Sequence, residues 1–334
     1  MYTPIKCKAS VFDVEFHPKL DLLCAGLFDG NLILYKLKKD VKQNEEQDVE
    51  HNEDEKKKFE KIWHIYNHEK TIRCVSFSKK GKTILSASSD NKCALTDITG
   101  KVIWTNTCHK NLISSILFTS LNTFLTADEI GVIKHWDVRD KSKKPIHKIK
   151  VYDDIISSML LDHNEKSIIV SSGGHLSHFD ILYKKEITSH TISIEYKDDL
   201  LCSQLIAHNS KIVCTTINGD IIIFSKEPWG NIDGKIKASK EMINTFVKLD
   251  EYIILFGTYD GLIKAAHFHP NKVGDIIARH DAAEGIEKLT INKKKNILAS
   301  ISHDYSINFY PIRMNSSYIS GKSKKKKKPF FRDL

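Results

Sequence analysis

The chain lacks the residue patterns of a disulfide-stapled, membrane-spanning or phosphate-cradling protein. Its seven cysteines, at 7, 24, 74, 93, 108, 202 and 214, are odd in number and scattered, with no Cys-x-x-Cys pair. That spacing argues against a disulfide framework, a zinc ribbon or a dithiol redox motif, and the thiols read as small apolar core residues in a reducing compartment. No run approaches the ~18 apolar residues of a membrane span. The start, MYTPIKCKAS, has no apolar signal core, so an intracellular chain with no membrane contact is expected. Also missing are a glycine-rich phosphate loop with its lysine, a Gly-x-Ser-x-Gly elbow and a His-Glu-x-x-His zinc pair. Among sixteen histidines, His267 and His269 come nearest to a metal pair, since alternation would put both on one strand face. No acid or thiol stands near them in sequence, so no metal, no cofactor and no catalytic residue is expected.

What is present is a repeat. Seven times a run of alternating apolar residues breaks at a tight-turn dipeptide: Asp29-Gly30, Asp90-Asn91, Ile130-Gly131, Gly173-Gly174, Asn218-Gly219, Asp260-Gly261 and Asp304-Tyr305. Their starts are separated by 61, 40, 43, 45, 42 and 44 residues, and only the first interval is out of line. A period near 40–45 residues with several short strands per period is the signature of a four-stranded propeller blade. Strand alternation places one side of each strand in the packing between blades. The expected fold is all-β, a seven-bladed propeller over residues 1–312, followed by a flexible basic tail over 313–334.

The repeats resemble the WD40 family. Only Trp136-Asp137 shows the name-giving pair intact; the same place elsewhere holds Tyr35-Lys36, Thr96-Asp97, Phe179-Asp180, Phe224-Ser225, Ala266-His267 and Tyr310-Pro311. The family's tetrad of His, Ser or Thr, Asp and Trp maps in the second repeat onto His68, Ser88 and Asp90, with Thr96 in the Trp place. In the seventh it maps onto His280, Ser302 and Asp304, with Tyr310 there. These read as structural partners holding a turn, not as a catalytic triad. In the family the last blade is completed by the chain's beginning, so Tyr2–Ala9 is expected to pair beside Tyr305–Tyr310. The four tryptophans, Trp63, Trp104, Trp136 and Trp229, lie at scattered phases. They suggest packing between blades more than an aromatic cage for a methylated lysine.

Two segments fall outside the repeat. Residues 38–60 hold nine acidic residues and six lysines, a composition that buries too little apolar area to offset ordering entropy, so a disordered loop leaving the first blade is expected. From Arg313 to Leu334 there are eight Lys or Arg and one Asp, which leaves the propeller only +2 of the net +9 and argues against a cationic propeller face. The tail sets five lysines, Lys324, Lys325, Lys326, Lys327 and Lys328, beside Phe330, Phe331 and Leu334. Lysines of this kind suit RNA phosphate, an acidic surface or an import receptor, while exposed aromatics suit burial in a protein partner.

The segments from Val11, Ile72 and Phe256, above all HPNKVGDIIARH between the sixth and seventh blades, and the lysine-rich tail resemble the WD repeat-containing protein 55 family. The resemblance implies a nuclear, mainly nucleolar, non-enzymatic scaffold: a ribosome assembly factor in rRNA processing and large (60S) subunit maturation, contacting pre-ribosomal proteins and pre-rRNA and acting as a monomer. A second class is carried by Trp136-Asp137-Val138-Arg139, which resembles the Trp-Asp-x-Arg box by which some WD40 proteins bind the linker of cullin-4 ubiquitin ligases. In that adaptor reading Arg139 is the contact, a planar guanidinium suited to carboxylates.

Overall fold

The computed structural model describes residues 2–38, 59–180, 190–280 and 285–312. These form 28 strands in seven four-stranded antiparallel sheets. Blade 1 is β2 (Val11–Phe16), β3 (Leu22–Leu27), β4 (Asn31–Leu37) and β5 (Phe59–Tyr66). Blade 2 is β6 (Ile72–Phe77), β7 (Thr83–Ser88), β8 (Lys92–Asp97) and β9 (Val102–Thr107). Blade 3 is β10 (Ile113–Phe118), β11 (Thr123–Asp128), β12 (Val132–Asp137) and β13 (His147–Lys150). Blade 4 is β14 (Ile156–Leu161), β15 (Ser167–Ser172), β16 (His175–Asp180) and β17 (His190–Ile192). Blade 5 is β18 (Leu200–Ile206), β19 (Lys211–Thr216), β20 (Asp220–Ser225) and β21 (Ile232–Lys237). Blade 6 is β22 (Thr245–Lys248), β23 (Ile253–Gly257), β24 (Leu262–Phe268) and β25 (Asn271–Arg279). Blade 7 is β26 (Lys288–Ile291), β27 (Ile297–Ile301) and β28 (Ser306–Pro311), completed by β1 (Ile5–Lys6).

That completion is the expected one: Ile5 pairs with Ile307, Lys6 with Ser306, and the Cys7 amide donates to the Tyr305 carbonyl at 2.8 Å. Pairing between distant ends covers the β28 edge, which would otherwise present a row of unpaired backbone groups. Every one of the seven turns carries a left-handed residue, at Gly30, Asn91, Gly131, Gly173, Gly219, Gly261 and Tyr305. This is why glycine or asparagine recurs there.

Burial departs from simple alternation. The second strand of each blade is buried on both sides, as in β15 (SIIVSS) and β3 (LLCAGL), whereas outer strands such as β5 and β13 alternate. The reason is that each sheet is sandwiched between two neighbours, which cover the middle strands on both faces, while the inner strands edge the channel and the outer strands face the surroundings. The core accordingly divides into seven clusters, one per blade junction.

The closing junction between blades 7 and 1 holds Phe59 stacked on Phe309, with ring centroids 3.9 Å apart. This corrects the expectation that the insertion runs to residue 60. Phe59 is buried and starts β5, and Glu60 follows it in the strand. Residues 39–58 and the tail residues Lys324–Lys328, Phe330, Phe331 and Leu334 lie outside the described residues.

A second set of bonds stitches the inner strands around the channel, at least one at each junction. Asp13 Oδ2 accepts from the Val75 amide (2.7 Å), Thr245 Oγ1 from the Leu289 amide (2.9 Å) and Thr290 Oγ1 from the Phe16 amide (3.2 Å). Cys74 Sγ donates to the Ser114 carbonyl (3.3 Å), Ser114 Oγ to Ile156 (2.7 Å), Ser157 Oγ to Leu200 (2.5 Å) and Cys202 Sγ to Asn244 (2.8 Å). Two of the cysteines are therefore small hydrogen-bond donors at blade junctions, a role their sequence positions did not reveal.

Candidate interaction faces

Each tetrad is built from a loop histidine that enters between the second strand and the following turn. In blade 2, His68 Nδ1 meets Asp90 Oδ2 at 3.2 Å and Nε2 meets Ser86 Oγ at 2.9 Å. In blade 7, His280 Nδ1 meets Ser300 Oγ at 2.7 Å and Nε2 meets Asp304 Oδ2 at 3.1 Å. The serine facing the ring is thus two residues earlier than Ser88 and Ser302: the loop histidine reaches Ser86 and Ser300, inside the second strand. Ser88 instead holds the turn, accepting from the Asp90 amide at 3.1 Å and donating to the Lys70 carbonyl at 3.0 Å. Burial pushes the Asp90 carboxyl up, but hydrogen bonds from His68 and from the Lys92 and Glu69 amides outweigh it and bring it down to about 2.

A complete tetrad stands in blade 3, where none was expected. His109 Nδ1 meets Asp128 Oδ2 at 2.8 Å, its Nε2 meets Thr126 Oγ1 at 2.6 Å, and the Trp136 indole donates to the same hydroxyl at 2.9 Å. Trp136 is therefore a buried structural residue, packed 6.3 Å from Trp104. Of the Trp-Asp-x-Arg motif Trp136 is buried, Asp137 and Val138 are half-buried and Arg139 is exposed, its fork turned back onto Asp137 with Nε at 2.9 Å from Oδ1 and Nη2 at 2.5 Å from Oδ2. An external carboxylate would have to displace that pair.

Among the described residues no catalytic constellation is assembled. No group of three or more His, Cys, Asp or Glu side chains converges as metal ligands among the described residues. His267 is buried while His269 is exposed beyond the end of β24, so the two do not share a face as alternation suggested. The channel encloses about 400 Å³, lined by inner-strand residues that include Asp13, Glu15, Ser158, Gln204 and Lys288. Lys288 Nζ lies 3.1 Å from Asp13 Oδ1, which holds the ammonium charged. Glu15 takes the Phe77 amide at 2.5 Å, yet burial dominates and lifts its carboxyl to about 7.

Chemistry concentrates instead on the two ends of the ring. The connections alternate between ends, so their charges can be read separately. On the end formed by the turns between second and third strands and the links between blades, the described connections carry 13 carboxylates against 5 lysine or arginine residues outside the strands, net −8. On the opposite end they carry 15 lysine or arginine residues against 7 carboxylates, net +8. The near-neutral propeller expected from composition thus conceals two faces of opposite sign. The densest part of the basic face is an arc over blades 7, 1 and 2, made by Lys293, Lys294, Lys295, Lys19, Lys79, Lys80 and Lys82. Lys294 lies 3.5 Å from Asp21 and Lys79 pairs with Glu165, while no carboxylate among the described residues pairs with Lys19, Lys80, Lys82 or Lys293.

Comparison with known proteins places this ring. WD repeat-containing protein 55 homolog of Aedes aegypti is 29% identical over 313 residues, which cover 92% of this chain and 62% of that protein. WD repeat-containing protein 55 of Arabidopsis thaliana is 27% identical over 303 residues (89% and 78%), and that of Homo sapiens 25% over 309 (92% and 75%). The chain therefore spans less than two thirds of the mosquito relative. The WDR55 family model matches residues 2–315, from the closing strand through all seven blades, and the chain belongs to the WDR55 family.

Proposed function

We propose that this protein is a non-enzymatic scaffold of ribosome assembly, acting in rRNA processing and large-subunit maturation in the nucleolus. The observation that carries the reading is the separation of charge onto the two ends of one closed ring, net −8 and net +8 in their described connections. A precursor particle consists of polyanionic RNA and strongly cationic proteins. A ring with opposite faces can hold one of each, and each face rejects the other's partner, since like charges brought together cost several kcal/mol. Stitched junctions and buried tetrads make the ring rigid, so little ordering entropy opposes such contacts. The resemblance of sequence and tail to the family supplies the biological setting, and the lysine tail adds a further contact for RNA or an import receptor.

The test is depletion of the protein followed by measurement of ribosomal RNA precursors. Accumulation of large-subunit precursors, with small-subunit precursors unchanged and rescue by the wild-type chain, is the expected result. Unchanged precursor levels after complete depletion would remove the proposal.

A further inference from the structure

The acidic face also carries exposed apolar side chains, and these recur at one structural position. Phe28 (62% exposed), Ile130 (42%), Ile217 (45%), Tyr259 (51%) and Tyr305 (52%) sit in the turns between second and third strands of five blades, and Ile155 (42%) in the link before β14. A single exposed apolar residue needs no explanation, whereas a recurrent set on one end of a closed ring marks a surface that is covered in use. The set is held rigidly. The Phe28 amide donates to the Ser10 carbonyl at 2.8 Å, Tyr259 to Met242 at 3.1 Å and Ile217 to Asp199 at 3.3 Å, so the turns are tied to the links beside them.

The charge within these turns is one-sided. The same seven turns contain Asp29, Asp90, Glu129, Asp260 and Asp304 and no lysine or arginine. Asp90 and Asp304 are engaged by tetrad histidines. Asp29, Glu129 and Asp260 are exposed, and no cation among the described residues pairs with them. Between β2 and β6 the Arg73 guanidinium lies 5.2 Å over the Phe12 ring, an arrangement in which an aromatic face already holds a cation.

We propose that this face docks a lysine- or arginine-rich peptide segment that also bears apolar side chains, its apolar groups resting on the Phe28, Ile217 and Tyr259 turns and its cations on Asp29, Glu129 and Asp260. The inference rests on the assembly reading only for the biological origin of such a segment; the recognition chemistry stands on the face itself. Nucleic acid is excluded by the sign of the charge. A second copy presenting the same face is disfavoured for the same reason.

The probe is a short fluorescein-labelled peptide of alternating Lys/Arg and Phe/Leu, with a control of equal charge in which Phe and Leu become Ser and Gly. Anisotropy should show the first peptide bound at least about tenfold more tightly than the control, with affinity falling as salt rises. Phe28→Ser with Tyr259→Ser should weaken it about tenfold, and Glu129→Gln with Asp260→Asn should flatten the salt dependence, all without altering the circular dichroism spectrum. Equal affinity for both peptides, or binding unchanged in the Phe28/Tyr259 variant, would overturn the inference, as would sedimentation showing self-association lost in that variant. Peptide docking and precursor processing are separate readouts, so either proposal can fail while the other stands.

Discussion

The tetrad of blade 3 gives the most direct energetic prediction. The His109 Nδ1–H donates to Asp128, so Nε2 is an acceptor and the Thr126 hydroxyl donates to it while accepting from the Trp136 indole. Thr126→Val keeps the shape and removes that hydroxyl, leaving one buried donor on Trp136 and one buried acceptor on His109. Each buried unsatisfied group costs about 1–3 kcal/mol, so the substitution should destabilise by about 2–6 kcal/mol. For a chain of 334 residues that corresponds to a melting temperature lowered by roughly 3–9 °C. Thr126→Ser restores the hydroxyl and should recover most of the loss, since only a methyl group is missing. Thermal unfolding followed by circular dichroism decides the matter. A Val variant within about 0.5 kcal/mol of wild type, or a Ser variant as unstable as Val, would refute the assignment of the hydroxyl as the shared partner.

Three further perturbations follow from other sites. Glu15 is an acid raised to about 7 by burial, so its folded form favours the proton and stability falls as pH rises from the ordinary carboxyl range through 7. Its partial exposure to the wet channel discounts the effect, and Glu15→Gln should stabilise by about 1–2 kcal/mol at pH 8 and by little at pH 5, read from denaturant midpoints at both pH values. Gly131 has φ of 79°, and a Cβ there would overlap the Tyr152 carbonyl oxygen, whereas at Gly173 the nearest atom is the Asp154 side chain at 3.0 Å. Gly131→Ala should therefore cost about 2–4 kcal/mol and Gly173→Ala distinctly less in parallel melts. On the basic face, Lys80, Lys82 and Lys293 changed together to Gln should reduce the logarithmic salt slope of single-stranded RNA binding by about 2, at roughly 0.7 per phosphate contact. An unchanged slope would take RNA off that face.

The number of blades was legible because each turn needs a left-handed residue, and Gly30, Asn91, Gly131, Gly219 and Gly261 announce it at regular spacing. Closure by the first strand was legible because the seventh repeat runs out at Ile312 with only three strands of its own. The blade 3 tetrad was not, because its carboxylate, Asp128, sits at the end of β11 and not inside the turn as Asp90 and Asp304 do. A His followed 17 to 20 residues later by Ser or Thr, as in His109–Thr126, His68–Ser86 and His280–Ser300, is the better signal, since both groups must reach one strand face. Phe59 was read as part of the insertion because the charged run continues to its doorstep; only the stacking on Phe309 separates strand from loop. The faces were hidden for a different reason. A whole-chain charge sums the two ends, and the segregation emerges only when alternate connections are assigned to opposite ends of the ring.

The central claim, that the chain is an assembly scaffold for the large ribosomal subunit, is tested most directly by purifying the tagged protein from nuclear extract and sequencing the RNA that accompanies it. The account predicts large-subunit ribosomal precursors enriched over total nuclear RNA. Intact protein recovered with no such enrichment would contradict it.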